Sequence, residues 1–469
     1  MKRPVGTYVK SLALNTAGAA ALSALLLVSP ASAESLTDAL AAAYQSNPDL
    51  LSARAQQRAT DEQVPQALSG WLPTVTAQGS YGAARKRFAT TSGAALATTH
   101  TRPLTGAVTL DQNIFASGRT VASTNAAEYT VAAGRDALLN AEQQTLLDAV
   151  TAYMDVIAGE GVVELTKNNV DVLTRQLAAT KDRFRVGELT RTDVAQSEAR
   201  LSGSRTALAQ AEAQLTAARS AYAKVIGHAP GTLEKPATNN LVPQSEEQAR
   251  EAALASNPVI QAARNTEKAR RSAVSVAKTA LLPSIDLQAQ YSYGRETTTA
   301  TTGIHHGDES SVVGVLTIPL FQGGAEYSKI REAKELHSQS MIEIAVAERA
   351  VSESVANAWE AVRSARASIN SSEEQVKANE IALEGVKQEE EVGSQTTLDV
   401  LNAEQELLNA RVTLVSAQRN LAVADYGLLA STGQLTAKSL KLPVKYYDPK
   451  DNYDDVHYKF IGYGTSSDE

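Results

Sequence analysis

The chain has 469 residues, with 44 Lys and Arg against 52 Asp and Glu and a formal net charge of −8, an acidic balance that argues against nucleic-acid binding. It has no cysteine, which excludes disulfides, thiolate metal sites and a lipid-modified N-terminal cysteine. Aromatic residues make up only 5%, and Ala, Leu, Gln, Glu and Thr dominate, as in long helices with small-residue seams rather than a bulky globular core.

Residues 1–33 read as a signal peptide. Lys2, Arg3 and Lys10 precede an apolar stretch through Leu25-Leu26-Leu27-Val28, and Ala31-Ser32-Ala33 is a small-x-small cleavage signal. The mature chain is expected to start at Glu34; a retained anchor is the alternative and fits the flanks less well. Beyond the leader no run of 18 apolar residues occurs, so no spanning helix is expected. An export signal without a spanning helix leaves periplasm, outer membrane or medium.

The remainder reads as one unit written twice, over residues 34–235 and 236–440, with a tail at 441–469. Ser46-Asn47-Pro48 recurs as Ser256-Asn257-Pro258, Leu72-Pro73 as Leu282-Pro283 and Tyr81 as Tyr291. From there the spacing shortens by four residues and holds. Phe115 matches Phe321, Gly118 matches Gly324, and Val186-Gly187 matches Val392-Gly393. Thr190 matches Thr396, Asp193-Val194 matches Asp399-Val400, and Gly227 matches Gly433. The length change falls between Tyr81 and Phe115, where a hairpin loop is expected.

Each unit is predicted to open with a short helix ending at Asn-Pro, where the residue before proline leaves helical space. A second, continuous helix then runs to Leu-Pro. Period-two alternation follows, apolar at Val75, Ala77 and Tyr81 and at Ile285, Leu287, Tyr291 and Tyr293, polar between them. Strand pairs are expected at about 72–115 and 283–321, with return strands Leu104 to Phe115 and Val312 to Leu320. About ten alternating residues suit a tilted membrane strand. One sheet of a soluble sandwich is the alternative, but nothing else in the chain supplies a second sheet.

Long helices are predicted from Gly118 to about Arg185 and from Gly324 to about Glu391, each roughly 100 Å. Shorter ones follow at about 191–226 and 397–432. Val194, Leu201, Leu208, Leu215 and Tyr222 are seven apart, as are Val400, Leu407, Leu414, Leu421 and Leu428, with Ala211, Ala218, Ala403, Ala410, Ala417 and Ala424 between them. That is a coiled-coil seam of large and small residues. Two short helices stacked end to end match one long helix in length.

Four strands cannot close in lipid, where an open edge costs several kcal/mol per unsatisfied group. Copies of the chain must complete a ring. Two copies give an eight-stranded barrel filled by side chains, and three give twelve strands with room for a lumen.

Over nearly the whole mature length the chain resembles the TolC family of outer-membrane efflux and type I secretion channel proteins. The marks are the Asn-Pro starts, the Leu-Pro corners, Ile114-Phe115-Ala116-Ser117-Gly118 with Leu320-Phe321-Gln322-Gly323-Gly324, and the two Val-Gly turns that run into Asp193-Val194 and Asp399-Val400. The resemblance implies an α+β membrane protein: a trimeric 12-stranded β-barrel, four strands per chain, continued by a long α-helical coiled-coil periplasmic tunnel. It implies a homotrimer in outer-membrane lipid that gives passive exit for drugs or secreted proteins, with a periplasmic adapter protein and an inner-membrane RND or ABC transporter as partners. The tail would pack on the equatorial region of the helices or be partly disordered.

By the same resemblance the turns at 186–190 and 392–396 are periplasmic tips, and Val186, Gly187, Thr190, Val392, Gly393 and Thr396 are expected to contact the adapter. Asp193 and Asp399 match entrance positions, where three copies would form carboxylate rings that favour cations. The plainer reading is an acid in the first turn of a helix, stabilised by its dipole. Where the family pattern has a Tyr, an Arg and a second Asp, this chain has Glu390, Gln395 and Asn402, so the usual gate contacts are not expected. The tips instead carry opposite charge, Arg183, Arg185 and Arg191 against Glu389, Glu390 and Glu391. These are either two solvated runs or a network that holds the entrance shut.

No catalytic constellation, cofactor site or metal site is expected. His305-His306-Asp308 comes nearest to a ligand set but lacks metal-site spacing. A periplasmic adapter would carry one helical hairpin flanked by lipoyl-like and barrel domains, not two units each with a strand pair. A secreted coiled-coil structural protein would lack the membrane strands.

Overall fold

The computed structural model describes residues 33–89, 96–236, 243–298 and 304–465. The leader through Ser32, the hairpin positions at 90–95 and 299–303, and the side chain of His305 lie outside the described residues.

The first unit consists of α1 (Leu36–Ser46), α2 (Pro48–Asp61), α3 (Gln63–Leu68), β1 (Thr74–Tyr81), β2 (Ala84–Ala89), β3 (Leu96–Phe115), α4 (Arg119–Arg185) and α5 (Arg191–Ile226). The second consists of α6 (Glu246–Ser256), α7 (Pro258–Thr279), β4 (Ser284–Thr298), β5 (Ile304–Thr317), α8 (Ala325–Glu391) and α9 (Thr397–Ser431). A last helix, α10 (Pro449–Val456), lies in the tail. The two long helices each have 67 residues, about 100 Å at the α-helical rise.

Prolines account for the departures from the predicted boundaries. The helix expected to run unbroken to Leu72 is broken after Asp61, because Pro65 has no N–H for the Asp61 carbonyl. The second unit has Ser275 at that place, and α7 runs its full 22 residues. The first strand is interrupted at Gly82–Ala83: Gly82 N donates to the Pro103 carbonyl at 3.0 Å, but Pro103 has no N–H to return. Pro319 likewise ends the last strand at Thr317 rather than Leu320. Both return strands start about eight residues earlier than the apolar stripe suggests, at Leu96 and Ile304.

The strands form one antiparallel sheet in the order β1-β3-β4-β5, with β2 extending the β1 side along β3. Register aligns the faces across all of it. Ala77 opposes Val108, Val108 opposes Tyr291, and Ala289 opposes Val312 on the apolar face. Thr76 opposes Thr109, Thr109 opposes Gln290, and Gln290 opposes Ser311 on the polar face. Among the described residues β1 and β5 have no partner on their outer sides.

Below the sheet the helices form a layer. Nearer the strands α4 packs between α2–α3 and α7, and α7 packs on α8. Nearer the Val-Gly turns α4 packs between α5 and α9, and α9 packs on α8. The largest core wraps the middle of α4, where Leu146, Ala149, Val150, Tyr153 and Val156 are buried with α1, the end of α5, Leu435 and Ala437 just past α9, and the tail residue Leu442. The Tyr153 hydroxyl donates to the carbonyls of Glu34 at 2.8 Å and Glu234 at 2.6 Å, tying two unit ends to α4. The tail continues over this belt. Arg54 lies between the rings of Tyr44 and Tyr447, at 4.5 and 5.1 Å. Asn452 Nδ2 donates to Asp61 Oδ2 at 2.9 Å.

The repeated Ser-Asn-Pro motif makes the end-to-end stack. Asn47 Oδ1 caps α2, while its Nδ2 donates to the Val225 carbonyl at the end of α5, at 2.9 Å. In the second unit Asn257 caps α7 and donates to the Ser431 carbonyl at the end of α9, also at 2.9 Å. Beside it Gly433 turns the chain at φ 80°, and a Cβ there would meet Asn257 Cα at 3.0 Å. Asn257→Ala removes a helix cap and strands a buried carbonyl, so it is expected to lower stability by about 2–3 kcal/mol. Chemical denaturation monitored by far-UV circular dichroism measures this, and a change below about 0.5 kcal/mol would show that the joint is not held this way.

Candidate functional site

The helix tips are built by the same local physics in both units. Gly187 and Gly393 sit at φ 87° and 80°, a left-handed conformation that stops α4 and α8. The closing bonds are those of a six-to-one helix terminus: Glu188 N donates to the Arg183 carbonyl at 3.0 Å, and Ser394 N to the Glu389 carbonyl at 2.8 Å.

Three residues later the next helix is capped in both directions. Thr190 donates to Asp193 Oδ2 from its hydroxyl at 2.7 Å and from its backbone N at 2.9 Å, and Asp193 N donates back to Thr190 Oγ1 at 3.3 Å. Thr396 and Asp399 repeat this at 2.5, 2.9 and 3.3 Å. These are capping boxes with Asp as the third residue. Hydrogen bonds from the Thr hydroxyl and Thr amide hold both carboxyls below the usual Asp range. The duplicated Gly-x-x-Thr-x-x-Asp spacing is therefore a helix stop followed by a helix start. Val186 and Val392 stand at the apex of the turns, 72% and 80% exposed.

Of the opposed tip charges, the fold brings one pair together. Arg183 Nη1 forms an ion pair with Glu390 Oε1, linking the end of α4 to the end of α8. The Glu390 side chain is only 13% exposed and also accepts from Thr397 Oγ1 at 3.4 Å. Arg183 Nε also reaches Glu188 at 3.3 Å. Arg185 turns to Asp182 on its own helix at 3.1 Å. Arg191, Glu389 and Glu391 form no ion pair among the described residues. Asn402 accepts a hydrogen bond from Arg200 Nη2, joining α5 to α9. The Gln395 backbone N also donates to the Glu389 carbonyl, at 3.3 Å.

Sequence reading missed a second level of the repeat. Lys181 pairs with Glu198 at 2.7 Å, and Lys387 pairs with Glu404 at 2.7 Å, the same bridge behind both tips. Further up, Glu160 on α4 pairs with Arg219 on α5 at 2.8 Å, while Arg366 on α8 meets Asp425 on α9 at 3.7 Å with the charges exchanged. Carrying the repeat spacing through the charged positions would have found both. Among the described residues no cluster of His, Cys, Asp or Glu could hold a metal, and no helix is long and apolar enough to cross a membrane.

The capping boxes have a defined pH signature. A carboxyl held below its ordinary value contributes stability above that value and loses it as pH falls through the folded one. Thr190→Val is expected to cost about 1 kcal/mol of local helix stability at neutral pH and to shift the acid fraying of α5 toward ordinary carboxylate titration. Amide hydrogen exchange at residues 191–196, measured from pH 5 down to pH 2, reads both effects. Exchange identical to the parent protein would contradict the box.

The family described as outer membrane efflux protein matches residues 39–228 and 249–434, one stretch per unit. The chain is 37% identical over 460 residues to outer membrane efflux protein BepC of Brucella suis, covering 98% of each. It is 26% identical to the outer membrane protein TolC of Vibrio cholerae, over 86% of this chain and 90% of that one. The solved outer membrane channel CmeC of Campylobacter jejuni superposes with a TM-score of 0.75 at 17% identity, covering 90% and 89% of the two chains. The paired-strand sheet, the 67-residue helices and the duplicated tips thus have their counterpart in outer-membrane channels, and the chain belongs to the outer membrane efflux protein family.

Proposed function

We propose that three copies of this chain form the passive outer-membrane exit duct of an export machine, loaded by an inner-membrane RND or ABC transporter through a periplasmic adapter. The observation that carries this reading is the sheet. It is four strands wide, bears one apolar and one polar face, and is unpaired along both β1 and β5. Three such sheets make a twelve-stranded barrel whose polar face lines a water-filled lumen. The helices carry the duct about 100 Å into the periplasm. The exposed Val186 and Val392 suit the apolar contacts of an adapter. The Brucella relative is an efflux protein, and AprF of Pseudomonas aeruginosa is an alkaline protease secretion protein. Cargo is accordingly drug-like molecules or secreted polypeptides, and drug susceptibility with the secreted-protein profile of a deletion strain separates the two.

At the entrance, the Arg183–Glu390 pair joins the tips of the two units and holds the closed state. Asp193 and Asp399 each give a three-carboxylate ring in the trimer, with one oxygen committed to the cap and the other available to cations.

Because the chain has no cysteine, trimer closure can be read by disulfide. Thr76→Cys on β1 is combined in turn with cysteine at Glu309, Ser311, Val313 or Val315 on β5. Within one chain these strands lie about 14 Å apart, too far to bond. At least one pair is expected to give a covalent trimer on a non-reducing gel, and monomer throughout the scan would overturn the barrel. Single-channel recording in planar bilayers tests the gate: Glu390→Lys should raise closed-state conductance, whereas Glu391→Lys should not. Unchanged conductance in Glu390→Lys would sink the latch, and unchanged cation preference in Asp193→Asn with Asp399→Asn would sink the rings.

A further inference from the structure

The two faces of the sheet sort charge by sign, and the sorting changes abruptly at the end far from the helices. The apolar face runs through Val108, Leu104, Tyr81, Tyr291 and Tyr293, whose tyrosines form the aromatic edge expected at a membrane interface. Continuing along the same face, Arg295 comes two residues after Tyr293 and Arg102 two residues before Leu104. Arg85 and Arg87 follow Tyr81 on β2, placed on this face by the pairing of Arg85 with His100. All four arginines are exposed, and none forms an ion pair among the described residues. Asp308 is the one carboxylate on that face among the described strand residues. The opposite, lumenal face carries the acids instead, Asp111, Asp286, Glu296 and Glu309, with Lys86 as its cation.

A duct that only had to pass cargo would need no arginines on its outside. By register Arg295 is level with Leu104 and Tyr81, Arg102 lies one two-residue step further out, and Arg85 and Arg87 lie two and three steps further. At about 7 Å per step the guanidiniums fill a band about 20 Å deep along the strands that starts at the tyrosines and runs outward through the headgroup layer. The helices leave from the other end of the strands, at Gly118 and Gly324, so the arginine end faces the cell exterior. Guanidinium binds phosphate in a two-point fork that a lysine cannot make. We infer that Arg85, Arg87, Arg102 and Arg295 form an outward-facing belt that binds the phosphates of a glycolipid in the outer leaflet of the outer membrane, once per subunit. The inference rests on the barrel reading above. In the closed ring β2 of one copy lies next to β5 of the following copy, so the belt runs continuously around the barrel and helps hold adjacent subunits together.

The test uses the full-length protein purified in detergent and stripped of lipid. Native mass spectrometry counts bound lipid during titration with bisphosphorylated lipid A, with its dephosphorylated form and with phosphatidylglycerol. The parent protein is expected to bind lipid A at least about tenfold more tightly than the other two. One arginine at an anionic surface is worth about fivefold in affinity, so the combined Arg85→Gln, Arg87→Gln, Arg102→Gln, Arg295→Gln variant should bind it about 600-fold more weakly. Equal binding of the dephosphorylated lipid or of phosphatidylglycerol by the parent protein would overturn the belt without recourse to any variant, as would unchanged binding by the Gln variant. The heat-modifiable trimer band is followed in the same samples. A trimer that ignores lipid A refutes the belt alone, while a chain that forms no membrane-inserted oligomer refutes the barrel as well.

Discussion

An unpaired strand edge in hydrocarbon leaves N–H and C=O groups without partners, at several kcal/mol each, and this chain has two such edges. Water could satisfy β1 and β5; lipid cannot. The apolar stripe that drives the sheet into the membrane therefore also drives the chain to find copies of itself. The same deficit appears in the helices. Along its length α8 packs on α7 nearer the strands and on α9 nearer the tips, and it leaves Ile342, Val346 and Ile381 each more than half exposed. Strand edges and helix flanks are incomplete at the same lateral boundary, as a ring of subunits requires.

Within one chain, duplication solves a second problem, which is how to keep two similar hairpins from pairing wrongly. Lys181–Glu198 and Lys387–Glu404 are interchangeable and carry no identity. The pairs Glu160–Arg219 and Arg366–Asp425 do carry identity, because the signs are reversed between units. Glu160 and Asp425 both line one cavity of about 500 Å³ between α4 and α9, and burial pushes the Asp425 carboxyl above its usual range. Glu160 and Asp425 cannot attract each other across the seam, so these two pairs favour partners within each hairpin, while Asp155 on α4 joins the hairpins through Arg419 on α9 at 2.7 Å. Each exposed pair contributes at most about 1 kcal/mol, and its value is in choosing register rather than in holding the fold.

Much of this architecture was legible in the sequence because it is written in local rules. Gly187 and Gly393 stop helices, Thr190 and Thr396 start them, and alternation marks the strands. What was not legible depends on backbone groups that side-chain patterning ignores. The break at Asp61 comes from a missing N–H on Pro65, inside a stretch whose apolar spacing still looks helical. The strand residues before Leu104 pair through their backbone although their outer side chains are Arg102 and His100, so the apolar stripe ends before the strand does. At the tips, three arginines and three glutamates allow several pairings. Only the packing of α4 on α9 and of α9 on α8 selects Arg183 with Glu390 and leaves Arg191, Glu389 and Glu391 outside the link.

Stability falls along the duct in the direction that function needs. The belt around Tyr153 holds most of the large buried side chains, with the tail and both unit ends laced over it. Close to the tips the clustered apolar core thins to Leu173, Leu201 and Leu401, with Leu383, Val400 and Leu407 buried outside that cluster. A single link such as Arg183–Glu390 is weak against that belt but not against so thin a core. Local opening is therefore cheaper near the tips than at the belt. The stacked joints at Asn47 and Asn257 lie at the belt and fix the upper ends of α5 and α9, so the thin packing near the tips is separated from the sheet by the most firmly held part of the helices.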